Sequence, residues 1–237
     1  MDLTLFSPSG VIANATPLKL AERRLAAHGF KVQRDAGALL KFQRFAGTDE
    51  QRLQAIHRVA LEQPEVAMAT RGGYGLTRLL DGIDWKLLAK SVDAGTRWAG
   101  HSDFTALQMG LLAHTGAVSW CAPMACGDFG AQELDDVTAD CFAEAMGGEL
   151  EAVGFRSDAG FDGLAVRGAL WGGNLSVLCA MLGTPHWPRV KGGILFLEDV
   201  AEHPYRVERM LLQLHQAGVL GEQKAVVLGS FVDWKKS

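Results

Sequence analysis

Along the N-terminal half of the chain, apolar residues fall in short bursts separated by longer stretches of mixed polarity. Leu3-Thr4-Leu5-Phe6 predicts a strand ending in the turn Ser7-Pro8-Ser9-Gly10. Leu18, Leu20, Leu25 and Ala26 recur at helical spacing, and Gly29 stops that helix. Phe30-Lys31-Val32 predicts a second short strand, and Thr48 caps a helix carrying Leu53, Ile56 and Val59. Residues 66–70 form an unbroken apolar run, as a parallel strand buried on both faces requires. Arg97-Trp98-Ala99 leads into Gly100, and residues 104–113 read as an amphipathic helix. Strands alternating with helices of this length predict βαβ units and a parallel sheet.

The rhythm changes after Phe142. Gly147-Gly148 and the polar, glycine-rich residues 154–163 predict a crossing between units. The expected organisation is an α/β domain over residues 1–145, a linker over 146–163 and a second, smaller domain over 164–237. In the second unit, Leu164-Ala165-Val166-Arg167-Gly168 opens the pattern. Gly172-Gly173-Asn174-Leu175-Ser176 starts a helix that runs to Leu182 and stops at Gly183-Thr184-Pro185. Residues 193–197 form a buried strand that delivers Glu198 and Asp199 at its carboxyl end. Residues 204–218 form a periodic helix with Val207, Met210, Leu211 and Leu214 on one side, and residues 225–229 a final strand.

Composition narrows the classes. A chain of 237 residues, 48% hydrophobic and 21% charged, can bury real cores and is no disordered segment. A net charge of −4 leaves no basic footprint for nucleic acid. No apolar run spans a bilayer. The start, Met1-Asp2-Leu3, lacks the basic and apolar regions of an export signal, so a cytoplasmic protein is expected. Cys121, Cys126, Cys141 and Cys179 match neither zinc nor disulfide spacing and are expected as reduced, buried thiols. No metal or other cofactor is expected.

Three places carry candidate chemistry. Gly100-His101-Ser102-Asp103 lies between a strand and a helix, where α/β hydrolytic enzymes expose a serine nucleophile and aim helix N–H groups at an oxyanion. A serine there is equally a helix cap, and Asp103 a complement to the helix dipole. Arg71-Gly72-Gly73-Tyr74-Gly75 follows a buried strand and fits a phosphate cradle, half of an oxyanion hole, or a plain tight turn. Glu198 sits where active-site groups of α/β proteins gather, although it and Asp199 also suit the start of the next helix.

The blocks carrying these residues fall in an order that resembles the LD-carboxypeptidases, serine peptidases that include the microcin C self-immunity hydrolases. Ser7-Pro8-Ser9-Gly10, Gly47-Thr48-Asp49 with Arg52, and Thr70-Arg71-Gly72-Gly73-Tyr74-Gly75 with Arg78-Leu79-Leu80 come first. Gly100-His101-Ser102-Asp103-Phe104-Thr105-Ala106-Leu107 and Pro123-Met124 follow. Gly172-Gly173-Asn174-Leu175-Ser176 with Leu182-Gly183-Thr184, then Phe196-Leu197-Glu198-Asp199-Val200 with Pro204-Tyr205-Arg206, complete the set. The resemblance implies a flavodoxin-like parallel-sheet domain joined to a smaller C-terminal domain with its own β-structure, the active site lying between them. It implies Ser102 as nucleophile, Glu198 as the carboxylate that orients the base, and the N–H groups of Gly73 and Asp103 as oxyanion hole. Arg71, Tyr74 and Arg78 are candidates for holding the substrate.

The sequence departs from that pattern at the histidine, which in the family follows the strand matching residues 225–229; no residue here matches it. A C-terminally truncated enzyme is therefore expected, its last strand left with an open edge; a partner chain, as in a homodimer, is the alternative cover for that edge. His101, which takes a usually aromatic position, and His186 are read as packing or surface groups, and His203 as the histidine to test. Cys121 stands where the family tends to carry histidine. The implied substrate is a small muropeptide, with D-alanine cut from the L-centre of a murein tetrapeptide during peptidoglycan recycling. A peptidyl-nucleotide of the microcin type, and a non-catalytic remnant that binds muropeptides, are the alternatives.

Overall fold

Five short parallel strands organise the first half of the chain: β1 (Asp2–Phe6), β2 (Lys31–Arg34), β3 (Val66–Ala69), β4 (Arg97–Gly100) and β5 (Trp120–Cys121). The computed structural model describes residues 1–157, 160–161 and 163–233. Strand order is β2-β1-β3-β4-β5, the flavodoxin-like order, whose switch point lies between β1 and β3. The turns after β1, β3 and β4 leave the carboxyl edge on either side of that point, so the Ser7–Gly10, Arg71–Gly75 and Ser102 segments meet there.

Alternation along the strands sends side chains to both faces. Leu3, Leu5, Val66, Met68 and Ala99 face one core with α1 (Ala15–Ala27), where Leu18 and Leu25 are buried. Phe6, Ala67, Ala69 and Trp98 face the other with α2 (Asp49–Glu62), α3 (Trp85–Asp93) and α4 (Thr105–Thr115). The Thr48 cap forms as expected, and the Thr48 N–H donates in return to the Gln51 side-chain oxygen. A further helix, α5 (Asp136–Gly147), covers the first core through Ala139, Phe142 and Met146.

A second parallel sheet contains β6 (Leu170–Asn174), β7 (Ile194–Val200) and β8 (Ala225–Val232) in that order, with β8 at an edge. Helices α6 (Leu175–Met181) and α7 (Pro204–Gln216) pack on it. Trp171, Leu175, Leu178, Leu195, Leu197, Met210 and Leu214 continue the second core of the first sheet, so the two sheets share one apolar interior. An apolar hollow of about 520 Å³ between α7 and β8, lined by Val207, Leu211, Leu212 and Phe231, contains none of the candidate site residues.

Several expectations need correction. Residues 164–168 are exposed and irregular; the strand starts at Leu170. After Gly75 the chain makes two single 3-10 turns, Leu76–Arg78 and Leu80–Gly82. The helix after Ser102 begins with one such turn, Ser102–Phe104, and continues as α4. All four thiols are free, but only Cys179 is buried and Cys121 is exposed. Among the described residues, no helix is long and apolar enough to cross a membrane.

One polar chain ties α4 to the segment between α6 and β7. His186 Nε2 lies 3.0 Å from Asp81 Oδ1, and His186 Nδ1 lies 2.9 Å from His114 Nε2. A carboxylate only accepts, so His186 donates through Nε2, its Nδ1 accepts, and His114 donates through Nε2. Trp85 stacks on His114 at 5.0 Å. Partial desolvation, then His186, lowers the His114 pKa below the ordinary 6.5. The unfolded chain therefore binds more protons at this residue, and its contribution to stability falls as pH drops through 6.5. Urea unfolding at pH 7.5 and 5.5 is expected to show this fall, smaller in His114→Gln.

Candidate active site

Ser102 follows β4 after one extended residue and has φ +60°, a left-handed conformation costly for any residue with a Cβ. Its side chain caps neither the 3-10 turn nor α4. The cap reading therefore fails, and the strained strand–turn–helix geometry is that of a nucleophile elbow.

Neighbouring segments over-determine that strain. The Asp103 carboxylate, only 3% exposed, accepts from Ser9 Oγ at 2.7 Å and from the Leu76 N–H at 3.0 Å. It braces the Ser102 turn to the turn after β1 and to the end of the glycine-rich turn. Phe104 packs edge-on against Phe6, and Gln108 Nε2 donates to the Gly100 carbonyl.

The glycine-rich turn fits over Ser102. A Cβ placed on Gly72 would lie 2.8 Å from Ser102 Oγ and 2.9 Å from Ser102 Cβ, closer than real contacts allow. Only a bare backbone can pass there. Gly72→Ala is thus expected to displace the hydroxyl, lowering turnover by about 10²-fold and stability by about 1–3 kcal/mol. Gly221→Ala, which would meet nothing within 4 Å, is the control and should change neither rate nor melting.

Next in the turn, Gly73 is exposed, and among the described residues its N–H has no hydrogen-bond partner. Arg52 holds the turn from beneath. Its fully buried side chain donates through Nη1 to the Pro8 and Gly75 carbonyls at 2.9 and 3.0 Å, and through Nη2 to Asp49. The candidates for holding substrate differ in their engagements. Arg78 is committed to Asp49, whose carboxyl it holds below the usual range with help from Arg52. Among the described residues, the Arg71 side chain donates only to the Val11 carbonyl, and Tyr74 is half exposed beneath the Arg44 guanidinium.

The second sheet reaches this turn through its glycine pair. The Asn174 N–H donates to Thr105 Oγ1 at 3.1 Å, and a Cβ on Gly173 would lie 2.6 Å from that oxygen. Asn174 sits opposite Glu198 in the β6–β7 register. Asp199, on the other face, accepts from Asn174 Nδ2 and the Ser176 N–H, so it is the acid that serves a helix start, that of α6. Among the described residues, Glu198 is left with one oxygen, Oε1, buried and without a hydrogen-bond partner. Burial raises its pKa above the ordinary carboxylate value, while His101 and an Asn174 hydrogen bond pull it back.

The structure thus brings the Ser102 turn, Asp103 and the Gly72–Gly73 backbone together, with Glu198 one strand beyond the Asn174–Thr105 contact. Ser9 and Arg52, which brace the site, carry no local sequence signal of that role. His203 stacks on Tyr205 at the start of α7, and Trp171 packs edge-to-face on Trp187. A strained serine beside free amide hydrogens, with a desolvated carboxylate nearby, is equipped for acyl transfer.

The LD-carboxypeptidase N-terminal domain family matches residues 3–122, and its C-terminal domain family matches residues 167–237. A probable murein peptide carboxypeptidase of Bacillus subtilis is 32% identical over 231 residues, covering 94% of this chain and 71% of that protein. The crystal structure of muramoyltetrapeptide carboxypeptidase from Oxalobacter formigenes superposes with a TM-score of 0.90 at 42% identity, covering 100% of this chain and 79% of that one. MccF in complex with glutamyl sulfamoyl guanosine superposes at 0.86, covering 99% of this chain and 79% of that one. Its 22% identity speaks for the fold alone. The chain belongs to the LD-carboxypeptidase family.

Proposed function

We propose that the chain is a serine-type LD-carboxypeptidase that removes terminal D-alanine from the L-centre, diaminopimelate or lysine, of a murein tetrapeptide. The observation that carries this reading is the left-handed Ser102 pressed against bare Gly72. Family membership and the murein substrates named for its relatives support the choice of peptide. In this reading Ser102 Oγ attacks the scissile carbonyl and its proton passes to a general base oriented by Glu198. The N–H groups of Gly73 and Asp103 receive the negative charge of the tetrahedral intermediate. Arg71 and Tyr74, open at the rim, hold the terminal carboxylate, with Arg78 fixing the rim through Asp49. Collapse breaks the C–N bond as the base returns that proton to the amine of departing D-alanine; the base then takes a proton from water, whose hydroxide attacks the acyl-Ser102 ester, and Ser102 Oγ leaves reprotonated.

Incubating the protein with L-Ala-γ-D-Glu-meso-diaminopimelate-D-Ala and assaying free D-alanine tests the proposal; a tetrapeptide bound but left uncut would favour a binder. A peptidyl-sulfamoyl nucleotide in the same assay tests the microcin-type alternative.

The charge on Glu198 gives the reading a pH signature. Its proton is held to higher pH than in an ordinary carboxyl, so the ionised form is lost early on acidification. The acid limb of kcat/KM is expected above the usual carboxylate range, and a rate unchanged down to pH 4 would contradict it.

A further inference from the structure

The residues proposed for the reaction stand on two sheets: Ser102 follows β4 of the first, and Glu198 lies on β7 of the second. Acyl transfer needs both held in one geometry, so a contact close to Ser102 has to set one sheet against the other. Helix α4 is the element both sheets share. It starts three residues after Ser102, and its Ala106, Leu107 and Leu111 enter the core that also holds Leu175, Leu178 and Leu195. Apolar packing of this kind is non-directional and fixes no register by itself.

Polar contacts pin α4 to the second unit at each end. At the far end His114 meets His186, in the segment between α6 and β7. At the near end Thr105, fully buried, accepts the Asn174 N–H at its Oγ1 over 3.1 Å. Among the described residues this is the one hydrogen bond between residues 101–105 and the second sheet. The fit around it is tight. A Cβ on Gly173 would lie 2.6 Å from Thr105 Oγ1 and 3.0 Å from its Cγ2, so both branches of the threonine face bare glycine backbone. The donor is equally fixed. Asn174 ends β6 opposite Glu198; its side chain donates to Asp199 and accepts the Val177 N–H. A shift of Thr105 is thus passed through one backbone to the strand pair on which Glu198 sits.

We propose that Thr105 is a positioning residue: its hydroxyl, held by the Asn174 N–H against Gly173, sets the register between the Ser102 turn and the strand carrying Glu198. The inference rests on Ser102 and Glu198 being the pair proposed above, and it adds the contact that keeps them in step. A buried amide N–H needs an acceptor, and a hydrogen bond has the direction that apolar packing lacks. Gly173 supplies the close approach, and Thr105 supplies the oxygen.

Thr105→Val keeps the branched shape and removes the acceptor, whereas Thr105→Ser keeps the acceptor and removes the methyl. Thr105→Ala also removes the acceptor and takes the place of the valine variant if that does not fold. With L-Ala-γ-D-Glu-meso-diaminopimelate-D-Ala, Thr105→Val is expected to lose about 10- to 10²-fold in kcat while KM holds, and Thr105→Ser to recover most of it. His114→Gln loosens the far end of α4 and should keep kcat near that of the unmodified protein. Full kcat in Thr105→Val, or an equal loss in Thr105→Ser or in His114→Gln, would overturn the proposal. Ser102→Ala in the same assay keeps the two questions apart. Release that persists there removes the nucleophile; release lost there but intact in Thr105→Val leaves the nucleophile and removes the role of Thr105. A second readout needs no turnover. In ¹H–¹⁵N spectra the Glu198 amide signal should shift in Thr105→Val and return in Thr105→Ser, and a signal that does not move would overturn the proposal even in an inactive protein.

Discussion

Ser102→Ala is expected to lower D-alanine release by about 10⁴- to 10⁶-fold, the scale seen when a serine hydrolase loses its nucleophile. The change removes one oxygen and leaves the brace intact, since Asp103 carries the bonds to Ser9 and Leu76. Melting should hold or rise slightly, because the turn strain persists while the crowding of Ser102 Oγ near Gly72 goes. Tetrapeptide affinity should survive, since Arg71, Tyr74 and the backbone N–H groups remain. A large loss of kcat without a matching loss of binding is the signature of an interaction made in the transition state. Release that continues at the original rate would remove Ser102 from the mechanism.

Arg52→Ala should have the largest effect on stability. The guanidinium is fully buried and is the shared donor for the Pro8 and Gly75 carbonyls, one on each of two turns that frame Ser102. It also stands 4.7 Å over the Phe45 ring and pairs with Asp49. Deleting it strands two carbonyl acceptors, opens a cavity and leaves Asp49 to Arg78 alone. The expected loss is about 3–5 kcal/mol, a fall in melting temperature of about 6–20 °C for a chain of this size. Turnover should fall too, because the Gly72–Gly73 backbone loses its support. Thermal unfolding and D-alanine release, measured on one preparation, check both parts. Arg52→Lys should recover only a fraction, because an ammonium lacks the fork geometry that spans two carbonyls and a carboxylate.

How much of this was legible in the sequence depends on range. Strands β1 and β3 and the Thr48 cap are written locally, in apolar runs and in a threonine three residues before Gln51, and each appears where expected. The parallel sheet followed from their alternation. Residues 164–168 misled because their apolar residues imitate a strand start, yet they lie exposed with no strand to pair with. Ser102 was ambiguous for a physical reason: a helix cap and a nucleophile elbow ask for the same residue in the same place. The difference is a φ of +60° and the absence of a capping bond, neither visible in residue types. The acids at the end of β7 were ambiguous in the same way. Strand alternation resolves them, turning Asp199 toward α6 and Glu198 to the other face. The family resemblance named Ser102, Glu198 and Gly73 without the contacts that position them. Asp103 to Ser9, Arg52 to Gly75 and His114 to His186 span 94, 23 and 72 residues, beyond any local pattern.

A nucleophilic hydroxyl on the Ser102 turn can be captured covalently. The protein is treated with a fluorophosphonate, which reacts with activated serines, then digested and mapped by mass spectrometry. One adduct is expected, on the peptide containing Ser102, and none in Ser102→Ala. An unmodified Ser102, or an adduct that persists elsewhere in the variant, would contradict it.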